Sequence, residues 1–166
     1  MTNTPIDPLA IIELTNLKAS GKLVELASHP QLGLRPEWMR ELARDTGRHV
    51  RYWLADNPAI ADCPEAIQTL TSDEDWHVRQ SLAANPAIAN YPKIIERLST
   101  DKDYEVRYAL AQNPTIANFP DVITKLSKDR SKNVREALAN NPAIPSRTAS
   151  TNPWQTTQPA TQVPAV

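Results

Sequence analysis

Four near-identical phrases recur in this chain: LADNPAIAD, LAANPAIAN, LAQNPTIAN and LANNPAIPS, starting at Leu54, Leu82, Leu110 and Leu138. The spacing is always 28 residues. A constant step of that length constrains the fold more than any other feature, because one such unit is too small to bury a core alone and must bury it against its neighbours. The step governs nine of the fifteen prolines, in two rows: Pro30, Pro58, Pro86, Pro114 and Pro142, and six residues later Pro36, Pro64, Pro92 and Pro120. Leu42, Leu70, Leu98 and Leu126 keep it, as do Asp45, Asp73, Asp101 and Asp129. So do the Val-Arg pairs at Val50, Val78, Val106 and Val134, and the row Leu32, Ile60, Ile88, Ile116 and Ile144. LASHPQLGLRP from Leu26 aligns with LADNPAIADCP from Leu54, with His29 replacing the asparagine. A degenerate opening unit therefore brings the repeat region to residues 22–145.

Each unit reads as two short helices. In PEAIQTLTSD, from Pro64 to Asp73, proline stands in a first turn, where its missing N–H has no intrahelical partner to lose. Ile67 and Leu70 share one face. Asp73, Glu74 and Asp75 announce a second helix over about 75–84, since acids cap free amides and suit the positive helix start. Its Val78, Ser81 and Leu82 form the stripe of a buried face. Asn85-Pro86 then stops it, because proline drives the preceding residue out of the α region and asparagine can bond the last helical carbonyls. The asparagine row, Asn57, Asn85, Asn113 and Asn141, is thus read as structural. Helices of about eight to ten residues do not stand alone, so stacked units should share one continuous core of Val, Leu and Ile rows.

The ends depart from the repeat. Asp7-Pro8 opens a helix with Leu9, Ile12 and Leu17 apolar, and Ser20-Gly21 breaks it, giving an N-terminal cap over residues 1–21. Residues 146–166 are rich in Pro, Thr and Gln, with Arg147 as the one charge, and read as a disordered tail. With no polar helix following the last unit, Val122, Leu126 and Leu138 are expected to be partly bare. Net charge is −1, so no basic field advertises nucleic acid or anionic lipid. The three glycines are too few and too scattered for a phosphate loop, and the single Cys63 excludes an intrachain disulfide or a CxxC pair. Without a visible leader or an apolar run of about 18 residues, the expectation is a soluble cytoplasmic protein with no membrane partner.

The pattern PxxIxxLxxDxDxxVRxxLAxNP, read from Pro64, Ile67, Leu70, Asp73, Asp75, Val78, Arg79, Leu82, Ala83, Asn85 and Pro86, resembles the leucine-rich-repeat-variant family. The related HEAT repeat shares its Pro, Asp, Val and Arg columns. The resemblance implies an all-α, right-handed α-solenoid of 28-residue two-helix repeats, one helix tightened toward 3₁₀. The six-residue step from Pro58 to Pro64 is longer than the family's usual one and lengthens that connection. Some members carry a cysteine-ligated iron–sulfur cluster before the repeats, but no cysteine precedes Cys63 here, and no cofactor is expected. In HEAT-like repeats the aspartate caps the second helix and the arginine bridges units, which implies a structural role for Asp73 with Arg79, Asp101 with Arg107 and Asp129 with Arg135. Read from the residues alone, the same ladder could be an anion-binding stripe, but the structural reading is preferred because charge-assisted pairs commonly serve this purpose.

Candidate chemistry is sparse. Cys63 has no evident base nearby, and His49 and His77, in one column, lack the further ligands a metal needs. No catalytic residue stands out, and a non-enzymatic protein is expected. Two exposed columns on the second helices are rich in aromatics: Arg48, Trp76, Tyr104 and Lys132, and one turn on Tyr52, Gln80, Tyr108 and Glu136. Tyr, Trp and Arg carry interface hot spots, and in HEAT-like solenoids second helices line the binding side. The leading expectation is a scaffold for a protein or peptide along that face, with self-association through the C-terminal end as a further outcome. The alternative is nucleic-acid binding, with Arg48, Arg51, Arg79, Arg107 and Lys132 on phosphates and the rings on bases.

Overall fold

The structure, a computed structural model, describes residues 8–144, with side chains from residue 13 onward. The expected tail, 146–166, lies outside the described residues, as do residues 1–7. What is described is all-helical. Ten α-helices and four 3₁₀ helices follow in the order α1 (Pro8–Ala19), α2 (Leu23–Ala27), η1 (Pro30–Leu34), α3 (Pro36–Leu42), α4 (Arg48–Asp56), η2 (Pro58–Asp62), α5 (Pro64–Leu70), α6 (Trp76–Ala84), η3 (Pro86–Asn90), α7 (Pro92–Leu98), α8 (Tyr104–Gln112), η4 (Pro114–Asn118), α9 (Pro120–Leu126) and α10 (Lys132–Ala139). None of them is long and apolar enough to cross a membrane.

Both proline rows start helices. Pro64, Pro92 and Pro120 open α5, α7 and α9, and Pro58, Pro86 and Pro114 open η2, η3 and η4. The sequence reading made the second of these a mere connection. It is a helix of its own, because the asparagine before it supplies a cap: Asn85 Oδ1 accepts from Ala87 N–H at 2.9 Å, as Asn57 does from Ala59 and Asn113 from Thr115. Proline at the first position then needs no partner. In the opening unit His29 Nδ1 does the same for Gln31 N–H. Before it, α1 ends at Ala19, and Gly21 follows with a φ of +72°, the left-handed stop glycine tolerates.

The asparagine also does something the sequence did not disclose. Its amide was expected to close its own helix, but Asn85 Nδ2 instead donates to Ala55 O at 2.8 Å and Asn57 O at 3.1 Å, in the preceding unit. Asn113 repeats this on Ala83 and Asn85, and Asn141 on Ala111 and Asn113. The physical cause is local. In an uninterrupted helix Ala55 O would accept from Ala59 N–H, but that N–H is diverted to the Asn57 side chain. A buried carbonyl is left open, and the next unit's asparagine fills it.

The arginine row joins neighbouring units, Arg51, Arg79 and Arg107 each taking the aspartate of the following unit and not the one its sequence spacing pairs it with. Nε and Nη2 of Arg79 grip Asp101 of the next unit at 2.7 and 3.0 Å, while Nη1 donates to the Asp73 backbone carbonyl at 2.7 Å. Arg51 takes Asp73 and Arg107 takes Asp129 in the same two-point manner. Each aspartate also accepts from the N–H two residues on, which presents Asp75 and Asp103 as caps for α6 and α8. Asp45, at the start of the row, is met by Lys18 of α1 at 3.0 Å. Arg135, at its other end, bonds the Asp129 carbonyl and, among the described residues, no carboxylate.

The core follows the apolar rows. Leu54, Leu82 and Leu110, Ile60, Ile88 and Ile116, and Val78, Val106 and Val134 are fully buried in one continuous cluster. Successive second helices α2, α4, α6, α8 and α10 pack each on the next, and η1 to η4 do likewise, whereas α5, α7 and α9 make little contact with one another. Ala55, Ala83 and Ala111, without any exposed surface, give the second helices their close approach. The bare C-terminal face expected at Val122, Leu126 and Leu138 is not found: all three are buried.

Two measurements check this account. Asn85→Ala leaves two carbonyls and one N–H without their partner and should cost about 2–4 kcal/mol in urea unfolding. Asn85→Asp keeps the cap but sets a carboxylate against the Ala55 and Asn57 carbonyls, and should cost more. The second concerns acid. Burial works to raise the Asp101 carboxyl, but the bonds from Arg79 and the Asp103 N–H, with the Arg79 charge, hold it below the usual carboxylate range; Asp129 is held down the same way by Arg107. A lowered folded pKa stabilises above the unfolded value and is lost as pH falls through the folded one. Unfolding free energy should therefore be level down to about pH 4 and fall below it, and Asp101→Asn should destabilise strongly at neutral pH and much less at pH 2.5.

Candidate functional site

The second helices start with a polar edge that gathers side chains from two units. Asp75 caps α6 by accepting from His77 N–H at 2.9 Å, and its carboxylate also meets His77 Nδ1 at 2.8 Å and Arg48 of α4 at 3.6 Å. Burial works against the charge, but these bonds and charges keep the Asp75 carboxyl below its ordinary range. The His77 ring stacks on Trp76 with centroids 3.6 Å apart, and Tyr52 meets Trp53 edge to face at 5.5 Å. Together Arg48, His49, Tyr52, Trp53, Asp75, His77 and Val78 line a groove of about 330 Å³ between α4 and α6. Its surroundings are mostly apolar, with the charged groups already paired, so it suits a large apolar or aromatic side chain better than an ion.

A second groove, of about 460 Å³, lies between α8 and α10, with Tyr104, Tyr108, Gln112 and Glu136 among its walls. The structure thus brings Arg48 and Tyr52 into one groove and Tyr104 and Tyr108 into another. Trp76, Gln80 and Lys132 line neither. Trp76 is half-buried against the core, Gln80 is half-buried, and Lys132 pairs with Glu136 at 3.2 Å.

Sequence reasoning missed Trp53, which is 40% exposed and among the most accessible large apolar side chains of the described residues. The signal was present in its column, where Ser81, Ala109 and Ala137 are small and buried. Those residues sit beneath a full-length neighbouring helix, as Ser81 Oγ at 3.4 Å from the Tyr52 carbonyl illustrates. The second helix before α4 is α2, with five residues against nine, so a large ring at 53 is not squeezed out.

The guanidinium groups proposed for phosphates are elsewhere engaged. Arg51, Arg79 and Arg107 are buried and held at both edges, so none of them can reach a polyanion. Of the five cations named for that alternative, Arg48 and Lys132 are exposed, each with a carboxylate partner. Cys63 has no exposed surface; its Sγ lies 3.6 Å from the Pro36 carbonyl, and burial pushes its thiol pKa up. His49 and His77 share the first groove, but among the described residues no three His, Cys, Asp or Glu side chains are placed to hold a metal.

Compared with known proteins, the chain matches no family model, no curated protein and no solved structure. The geometry alone therefore carries the functional argument. One of its statements is directly measurable: Cys63 in the native protein should react with an aromatic disulfide reagent at least about a hundredfold more slowly than in urea, where the thiol is free. Reaction at the unfolded rate would mean that the η2–α5 junction opens readily.

Proposed function

We propose that this chain is a non-enzymatic binding scaffold, a right-handed α-solenoid of the leucine-rich-repeat-variant and HEAT-like kind, which takes a protein or peptide along the exposed face of its second helices. The observation that carries the reading is the aromatic groove between α4 and α6, where Trp53 stands 40% exposed beside Tyr52 while every repeated polar row is spent on holding units together. Trp with Tyr and Arg around a pocket is the composition of an interface anchor. The close packing of second helices beside loosely packed first helices supports the solenoid, since unequal spacing on two sides curves a stack toward its tighter row. On this reading the grooves belong to the inner side.

The peptide that fits presents an aromatic or long aliphatic side chain to Tyr52, Trp53 and Val78, flanked by polar groups for Arg48 and Asp75. Nucleic acid is the weaker reading, because the arginine row is internal. Panning a random peptide library against the full chain tests the proposal. Enriched peptides should share an apolar anchor and shift Trp fluorescence on binding. Trp53→Ala should weaken them about tenfold or more, whereas Tyr91→Phe, which alters only the bond to the Ala61 carbonyl, should leave them unchanged. Peptides that bind Trp53→Ala as well as the parent would move the site elsewhere.

A further inference from the structure

The arginine row contains its own control experiment. Arg51, Arg79 and Arg107 are posed identically: Nη1 is pinned by the backbone carbonyl six residues earlier, which leaves Nε and Nη2 pointing at a carboxylate of the following unit. All three forks are filled by aspartate, with the shorter contact at 2.6, 2.7 and 2.6 Å. Arg135 repeats the pose. Its Nη1 bonds Asp129 O at 2.5 Å and Arg130 O at 3.3 Å, matching Arg79 on Asp73 O at 2.7 Å and Glu74 O at 3.2 Å. Yet among the described residues Nε and Nη2 of Arg135 meet no acceptor, and the side chain is exposed.

We infer that the Arg135 fork is a preformed carboxylate-binding site, and that its occupant is an Asp or Glu side chain in an acidic segment of a partner protein. The pose matters because a guanidinium already fixed by two carbonyls loses little freedom when it closes on a planar, two-point acceptor. Charge agrees. Lys125, Lys128, Arg130, Lys132 and Arg135 fall within eleven residues; Asp129 among them is consumed by Arg107, and Glu136, next to Arg135, pairs with Lys132. Residues 145–166 contain no Asp or Glu to fill the fork from the same segment. A second copy of the chain is the poorer fit, since the equivalent aspartate at the other end of the row, Asp45, is already closed by Lys18. The site is separate from the α4–α6 groove and does not depend on it.

The experiment uses the full chain and a blocked pentaglutamate peptide, followed through the Nε–Hε resonances of the arginines. The Arg135 signal should shift saturably toward the region of Arg51, Arg79 and Arg107, while those three stay still. Arg135→Lys keeps the charge but loses the fork, and should weaken pentaglutamate by about fivefold or more; Lys128→Arg should not. Equal affinity for Arg135→Lys, or a shift spread over all exposed arginines, would reduce the site to general attraction and overturn the inference. An Arg135 shift that grows with protein concentration alone would assign the fork to a second copy, and overturns the acidic-partner assignment equally.

Discussion

A proline has no N–H, and the asparagine before it takes the next one; the carbonyl left behind by these two facts is what joins this molecule together. At each junction the orphaned alanine carbonyl accepts from the asparagine amide of the following unit, at 2.8 to 2.9 Å throughout. In Asn57, Asn85 and Asn113 the same side chain caps a 3₁₀ helix through its oxygen, so one residue satisfies a defect on each side of itself. The local stop signal and the long-range clamp are one device. This explains why asparagine stands there and not aspartate or serine: the position needs two donors and an acceptor on one planar group.

The arginine fork complements that clamp at the opposite end of the second helix. A buried ion pair is weak evidence for stability, because desolvating both partners offsets much of the attraction. Here each guanidinium is bonded on both edges and each aspartate also accepts a backbone N–H, so the pair is satisfied rather than merely adjacent. Its contribution is best understood as register: the two-point geometry admits one alignment of neighbouring units and refuses a slipped one. With asparagine at one end and arginine at the other, the apolar rows between them meet in phase.

How much of this could be read from residue order depends on the length scale of the interaction. The second helices, their aspartate caps and the buried Val, Leu and Ile rows were legible because they follow from spacing within about 10 residues and from simple periodicity. The partners of the ladders were not. Asp73 and Arg79 are near in sequence, and nothing local says that Arg79 reaches Asp101 while Asp73 is taken by Arg51. The 3₁₀ helices were hidden for a similar reason, since five residues carry little periodicity and their cap had been assigned to stopping the previous helix. In the candidate site, reading columns for exposure found Arg48, Tyr52, Tyr104 and Tyr108 but passed over Trp53, because its column is elsewhere small and internal. A lone large residue in a column of small ones is a stronger sign than a column of uniformly large ones.

Each junction from α4 to α10 is made from the same bonds, forward by arginine and backward by asparagine, and all of the groups come from within one 28-residue segment. Any such segment can therefore follow any other. Duplicating or deleting one whole segment leaves the remaining junctions chemically complete, whereas an insertion of any other size throws both ladders out of step at once. The length of the repeat region is quantised, and the face formed by the second helices can lengthen or shorten over evolutionary time in whole steps without renegotiating the interior.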